Sequence, residues 1–220
     1  MKKIIFITLA VFVGIGSYFL YSHSLKGRHL AFNFHQMAHQ GISFDKWISF
    51  KPKGESFTAS FPLRPKAISK DFPIPGEEGS LKYHEYQCIT DSGRLFSVSY
   101  MTLPDTFLKW GDNLILNGAL KLIMRELGKV ELVGKDSNTF KNYPALDYEH
   151  YTKEVETAGT LVLVGNTLYK VEVTYPLNER EGVRDELCNF VESFEPEEQN
   201  ETTTSSLLQQ HLASGKSQFQ

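Results

Sequence analysis

Cysteine is scarce in this chain: there are two among 220 residues, Cys88 and Cys188. Two thiols this far apart exclude a cysteine-built zinc site, which needs further thiolates or imidazoles at close spacing. Positive charge is not in excess either, with a formal net charge of −3 and an isoelectric point near 6.2. Nucleic acid is therefore not expected as a partner, because gripping phosphates takes a concentrated basic face. Catalytic signatures are missing as well. No phosphate loop and no His-Glu-x-x-His occurs, and Gly14-Ile-Gly16 lacks the third glycine of a dinucleotide loop. Gly41-Ile-Ser43-Phe-Asp45 ends in Asp where a nucleophile elbow has its second glycine. No cofactor is expected.

What is present begins with Ile4–Tyr21, an uncharged and mostly apolar run of 18 residues behind Lys2 and Lys3. A helix of about 20 residues crosses the hydrocarbon core of a bilayer, whereas a cleavable signal carries an apolar core of roughly 7–15. Residues 1–22 are accordingly read as a transmembrane anchor, with a cleaved signal peptide and a secreted product as the alternative. Lys2 and Lys3 keep the N-terminus cytoplasmic, which sends the rest of the chain across the inner membrane to the periplasmic side. Lys26 and Arg28 oppose that orientation only in part. Residues 23–46 read as a juxtamembrane stalk holding four of the seven histidines, His23, His29, His35 and His39. His35 and His39 stand i, i+4 and can share a helix face, but a stable metal site wants a third and fourth ligand. The nearest carboxylate, Asp45, lies beyond Gly41. The stalk reading therefore stands ahead of a metal site at His35 and His39.

Residues 47–194 carry the patterning of one α+β domain, an antiparallel sheet covered by helices. Trp47–Phe50 leads to a turn at Pro52-Lys-Gly54; Phe57, Ala59 and Phe61 then alternate along a strand halted by Pro62 and Pro65. Asp71–Gly79, with two prolines and two glycines, is expected to be a surface loop. Leu81–Thr90 and Arg94–Leu103 predict two strands, and Asp105–Lys129 predicts one long helix stopped by Gly128. Val130–Ser137 and Tyr143–Thr152 predict further strands. Thr160–Tyr175 is the clearest unit, two β-branched runs hinged at Gly165-Asn166. In its second run Tyr169, Val171, Val173 and Tyr175 share one face, and Lys170, Glu172 and Thr174 share the other, which is expected to be wet. Val183, Leu187, Phe190, Val191 and Phe194 then form a helical stripe suited to covering the sheet. From Glu195 onward Glu, Thr, Ser and Gln dominate, so residues 195–220 are expected to be a disordered polar tail.

The densest titratable clusters are His84-Glu85 and Asp147-Tyr-Glu149-His150. A dry carboxylate pair can couple its pKa values and perform acid–base work, so Asp147, Glu149, His150 and Glu172 are the candidate catalytic set. The competing reading puts Asp147 and Glu149 beside Lys170, Glu172 and Thr174 on a solvated, salt-bridged face, and it is the preferred one. Cys88 and Cys188 have two open readings. In an oxidising compartment they can close a disulfide around a span of about 100 residues, contributing up to about 4–5 kcal/mol. As free thiols they serve as small buried hydrophobes.

The order of short signatures resembles the bacterial, extracytoplasmic relatives of the PsbP family, whose fold is shared with the Ran-binding Mog protein. The matching residues are Trp47, Phe50, Pro52, Phe57-Thr-Ala-Ser-Phe61-Pro62 and Pro65, the Leu95–Leu103 strand and the helix around Leu114–Leu127. Tyr143-Pro-Ala-Leu-Asp147, the Thr160–Tyr175 hairpin and Phe190-Val-Glu-Ser-Phe194 complete them. The resemblance spans about residues 47–194. It implies an α/β/α sandwich, an extracytoplasmic location and no catalytic residues to transfer. The lipobox cysteine of lipoprotein members is missing, so the anchor here is a helix. The functional expectation is a membrane-anchored, non-catalytic module that recognises a protein or peptide in envelope assembly or maintenance. The alternative is an exported enzyme, or a small-ligand or metal-binding protein, using the carboxylate and histidine cluster.

Overall fold

The computed structural model describes residues 44–73, 80–179 and 182–197. The chain enters as β1 (Ile48–Phe50) and β2 (Phe57–Phe61), which pair antiparallel. It then lays down β3 (Lys66–Pro73), β4 (Ser80–Ile89) and β5 (Leu95–Thr102), followed by helices α1 (Asp105–Leu108) and α2 (Asp112–Leu127). Four strands follow in succession: β6 (Glu131–Phe140), β7 (Tyr143–Tyr151), β8 (Val155–Val164) and β9 (Thr167–Pro176). Helix α3 (Val183–Ser193) and the two-residue β10 (Glu195–Pro196) are the last elements among the described residues. Antiparallel strands dominate and helices are few. The main sheet has seven strands in the order β3-β4-β5-β9-β8-β7-β6. After β5 the chain crosses through α1 and α2 to the far edge and returns by hairpins, so that β9 comes to lie beside β5. Strand β9, buried along almost its whole length, is therefore central. The Tyr169–Tyr175 alternation built for a covered face meets Phe96, Val98 and Tyr100 of β5 across the pairing Tyr169↔Tyr100 and Val171↔Val98.

Two apolar layers cover the two faces. On one face, Phe96, Val98, Val171, Val173 and Tyr175 pack with β2 and with Val183, Leu187, Phe190 and Val191 of α3. Opposite, Tyr83, Met101, Leu146, Tyr148, Leu161 and Leu168 pack beneath Ile115, Leu116, Ala119, Leu120 and Ile123 of α2. Phe190 is the hub of the first layer, with its ring centroid 5.0 Å from Phe61, 5.4 Å from Phe96 and 6.4 Å from Trp47. A five-aromatic corner continues through Phe57, whose ring meets Tyr86, Tyr100, Tyr169 and Phe194.

Several expectations need correction. The segment after Pro65 forms a strand, β3, which reaches Pro73 and takes in the start of the expected Asp71–Gly79 loop. As an edge strand with mostly exposed side chains, it lacks the apolar alternation that marks the others. The single long helix is two, because Gly111 takes φ +80° between them. Glu195 and Pro196 do not start a disordered tail; they pair with Thr58 and Phe57 of β2. The β6–β7 turn is made by Lys141 (φ +48°) and Asn142 (φ +72°), a primed turn with no glycine to announce it. Lys141 repays this unusual conformation by donating to the carbonyls of Glu192 (2.8 Å) and Phe194 (2.9 Å), where α3 presents the negative end of its dipole. The expected anchor at Ile4–Tyr21, the stalk with His35 and His39, and most of the polar tail lie outside the described residues. Among the described residues no helix is long and apolar enough to cross a membrane.

Truncating the aromatic hub is expected to be severe. Phe190→Ala removes a fully buried ring from three aromatic neighbours and should cost about 3–5 kcal/mol of unfolding free energy in urea titrations. A loss below about 1 kcal/mol would contradict a packed α3 face.

Candidate functional site

Strand parity decides which titratable groups can meet. Tyr148 of β7 pairs with Gly159 of β8, and Gly159 pairs with Glu172 of β9, so all three lie on the α2 face. Asp147 and Glu149 consequently point to the α3 face, away from Lys170 and Glu172. The four candidates are divided by the sheet. His150 and Glu172 share the α2 face; Asp147 and Glu149 do not join them. Asp147 instead accepts a hydrogen bond from the Asn138 amide at 2.5 Å.

The face carrying Lys170, Glu172 and Thr174 is not wet. Lys170 is 3% exposed, Glu172 6%, and His150 3%, and Glu85 is fully buried. The expectation of a solvated charge ladder fails because an alternating strand shows only that its two faces differ. It does not show that the polar one is uncovered. Glu172 is the centre of the buried row. The Lys170 ammonium and the Ser97 hydroxyl donate to Oε1 at 2.5 and 3.5 Å, and the Tyr148 hydroxyl donates to Oε2 at 2.6 Å. Gly159 makes this span possible. A Cβ there would come within 2.4 Å of the Val171 carbonyl and 2.7 Å of the Glu172 Cβ. Only glycine lets β8 lie this close to β9, in the register that sets Tyr148 two strands from the carboxylate it reaches.

The electrostatics follow from this closure. Burial pushes the Glu172 carboxyl up, but Lys170 and the Tyr148 hydroxyl more than offset it, leaving Glu172 below its ordinary range. Burial raises Glu85, opposed by Lys170 and reinforced by Glu172. Burial also drives the Tyr83 and Tyr148 hydroxyls well above the tyrosine range, with Glu85 and Glu172 respectively adding to it. His150, stacked on Tyr148 at 6.0 Å, is lowered to about 4, chiefly by burial. The cause of these shifts is a closed internal network rather than an open cleft. The cysteines are free buried thiols; burial pushes Cys88 up to about 11 and raises Cys188 as well.

A second constellation lies on the α3 face toward the β4 side, and it reaches the surface. Glu55 ends the turn that begins at Pro52 and hinges at Gly54 (φ +84°). Its side chain is 17% exposed and that of His84 27%. The Tyr86 hydroxyl donates to Glu55 Oε1 at 2.9 Å, and the Tyr100 hydroxyl donates to Oε2. His84, opposite Tyr100 in the ladder, stacks on that ring at 5.0 Å and 4°, with Nδ1 3.7 Å from Glu55 Oε1. His84 and Glu85 are thus sent to opposite faces, one to the rim and one to the interior. Nothing in the spacing of Glu55 marked it as a partner of the two tyrosines. The one available signal was the Pro-Lys-Gly turn, which had to deliver the next side chain somewhere. Among the described residues no group of three histidine, cysteine or carboxylate side chains is arranged to hold a metal ion.

Acidification tests the buried network. Unfolded His150 titrates near 6.5 and the folded residue near 4, so the unfolded state takes up the proton first and stability falls as pH drops between those values. Glu172, lowered in the fold, loses its contribution at still lower pH, whereas Glu85, raised in the fold, works in the opposite sense. The wild type minus a His150→Gln variant should therefore lose about 3 kcal/mol from pH 6.5 to 4, read from urea midpoints at stepped pH. Parallel curves would contradict the burial of a neutral imidazole.

No protein-family model matches this chain, and no curated protein matches it either. Among solved structures, cyanobacterial PsbP (CyanoP) from Synechocystis sp. PCC 6803 aligns with a TM-score of 0.47 at 10% sequence identity, over 73% of this chain and 98% of that one. A Pseudomonas aeruginosa protein of unknown function, PA94, aligns with a TM-score of 0.26 at 8% identity, over 60% of this chain and 85% of that one. Neither alignment transfers a residue role to this chain.

Proposed function

We propose that the chain is a membrane-anchored, extracytoplasmic binding module of PsbP-like α/β/α build, which recognises a protein or peptide and performs no catalysis. The observation that carries this reading is the division of polar groups between the two faces. On the α2 face Lys170 and Glu172 are buried and paired, with three donors converging on Glu172. On the α3 face the Glu55 carboxylate and the His84 imidazole come to the rim above two buried tyrosines, Tyr86 and Tyr100. A part-exposed carboxylate and imidazole held in place from beneath offer fixed polar contacts to a partner. The apolar run Ile4–Tyr21 behind Lys2 and Lys3 supports placement of the domain outside the cytoplasm, and from there a role in envelope assembly or maintenance. An exported enzyme is the second reading. The shifted values of His150 and Glu172 favour it, and their burial counts against it.

Crosslinking the full-length chain in its native membrane tests the proposal. A discrete protein partner should be captured reproducibly and lost when an excess of untagged chain competes. Recovery of the chain alone, at every crosslinker length tried, would overturn the binding-module reading.

A further inference from the structure

The rim constellation has a specific chemistry. A carboxylate offers about four acceptor positions, and Glu55 uses one on each oxygen for Tyr86 and Tyr100. Among the described residues no lysine or arginine pairs with it; its remaining neighbour is the His84 imidazole. Other glutamates toward this end of the fold are already taken: Glu197 by Lys51 and Glu195 by Lys141. Glu55 differs from a mobile surface glutamate because two phenols fix its position. Much of the side-chain ordering that binding normally costs has been met in folding. The ring of His84 lies flat on Tyr100, and Phe50 lies 5.4 Å from Tyr86, so the carboxylate is framed by aromatic surface.

Each feature selects the same kind of ligand. A fixed carboxylate repels anions. An apolar side chain set over it would strip its water and return nothing. A cation gains from the carboxylate, and its alkyl stem can lie along the part-exposed His84 ring. A guanidinium or ammonium also supplies donors for the acceptor positions that Tyr86 and Tyr100 leave open. We infer that Glu55, framed by His84, Tyr86 and Tyr100, is the docking point for an arginine or lysine side chain of the protein partner. The inference rests on the binding-module reading and names the chemistry by which that module holds its partner.

The test uses the full chain in detergent micelles and two probes, N-acetyl-arginine amide and its neutral isostere N-acetyl-citrulline amide. Ring signals of His84, Tyr86 and Tyr100 are followed by NMR. The arginine probe should give saturable shifts in the millimolar range expected of a small fragment, weakened about ten-fold or more in E55Q. The citrulline probe should give none. Equal shifts with citrulline, or no saturation with arginine, would overturn the inference on the wild-type protein alone, whatever the variant does. Crosslinking then separates the two levels. A partner captured by the wild type and lost in a folded E55Q chain supports the inference. A partner captured equally by both overturns it and leaves the binding-module reading standing. A wild type that captures nothing overturns that reading, and the inference with it.

Discussion

A lysine and a glutamate buried on the same strand constrain everything around them. Neither Lys170 nor Glu172 can be left alone beneath α2, because an uncompensated charge in a dry interior is among the costliest defects a fold can carry. The two therefore need each other, and Glu172 needs further donors for its second oxygen. Tyr148 provides one only because β7, β8 and β9 hold the register Tyr148–Gly159–Glu172. A slip of one residue in either pairing would turn the tyrosine to the opposite face and leave the carboxylate short of a donor. The apolar contacts of α2 drive burial without specifying alignment, whereas the polar row specifies it.

The same parity explains the division of labour between the faces. The α3 face gathers the larger aromatic cluster and closes around Phe190, with β2 and β10 sealing its margin. Along that margin, toward β3 and β4, packing runs out before the polar groups do, and Glu55 and His84 are left half-buried. Stability is thus concentrated in the centre of the sheet and chemical accessibility at one edge. That arrangement suits recognition, since a turn carboxylate tethered to two strand tyrosines is presented in a fixed position.

Much of the fold was legible in the residues. The Gly165-Asn166 hinge, the Tyr169–Tyr175 alternation and the Val183–Phe194 stripe all form as their periods require, because each pattern is local and one element suffices to define it. Gly165 alone adopts positive φ (+57°), so the turn uses half of what its sequence offers. Strand β3 was missed because an edge strand needs few apolar residues, and the Lys141–Asn142 turn because lysine rarely takes that conformation. The candidate site was less legible. Which face Asp147 shares with Glu172 depends on two strand registers at once, and no local pattern contains that information. Whether the polar face of β9 is covered depends on where α2 lands. Glu55 was invisible for the same reason: its tyrosine partners lie 31 and 45 residues away along the chain.

The central claim is that the buried Lys170 and Glu172 charges serve to satisfy each other while recognition happens elsewhere. Replacing Lys170 and Glu172 by methionine, singly and together, tests it most directly, with unfolding free energy and partner capture measured on each full-length variant. Each single change strands a buried charge and should cost about 3–5 kcal/mol, while the double change should recover most of that loss and capture the partner as the wild type does. A double variant that folds with near wild-type stability yet captures nothing would contradict the account, because the buried row would then belong to the function.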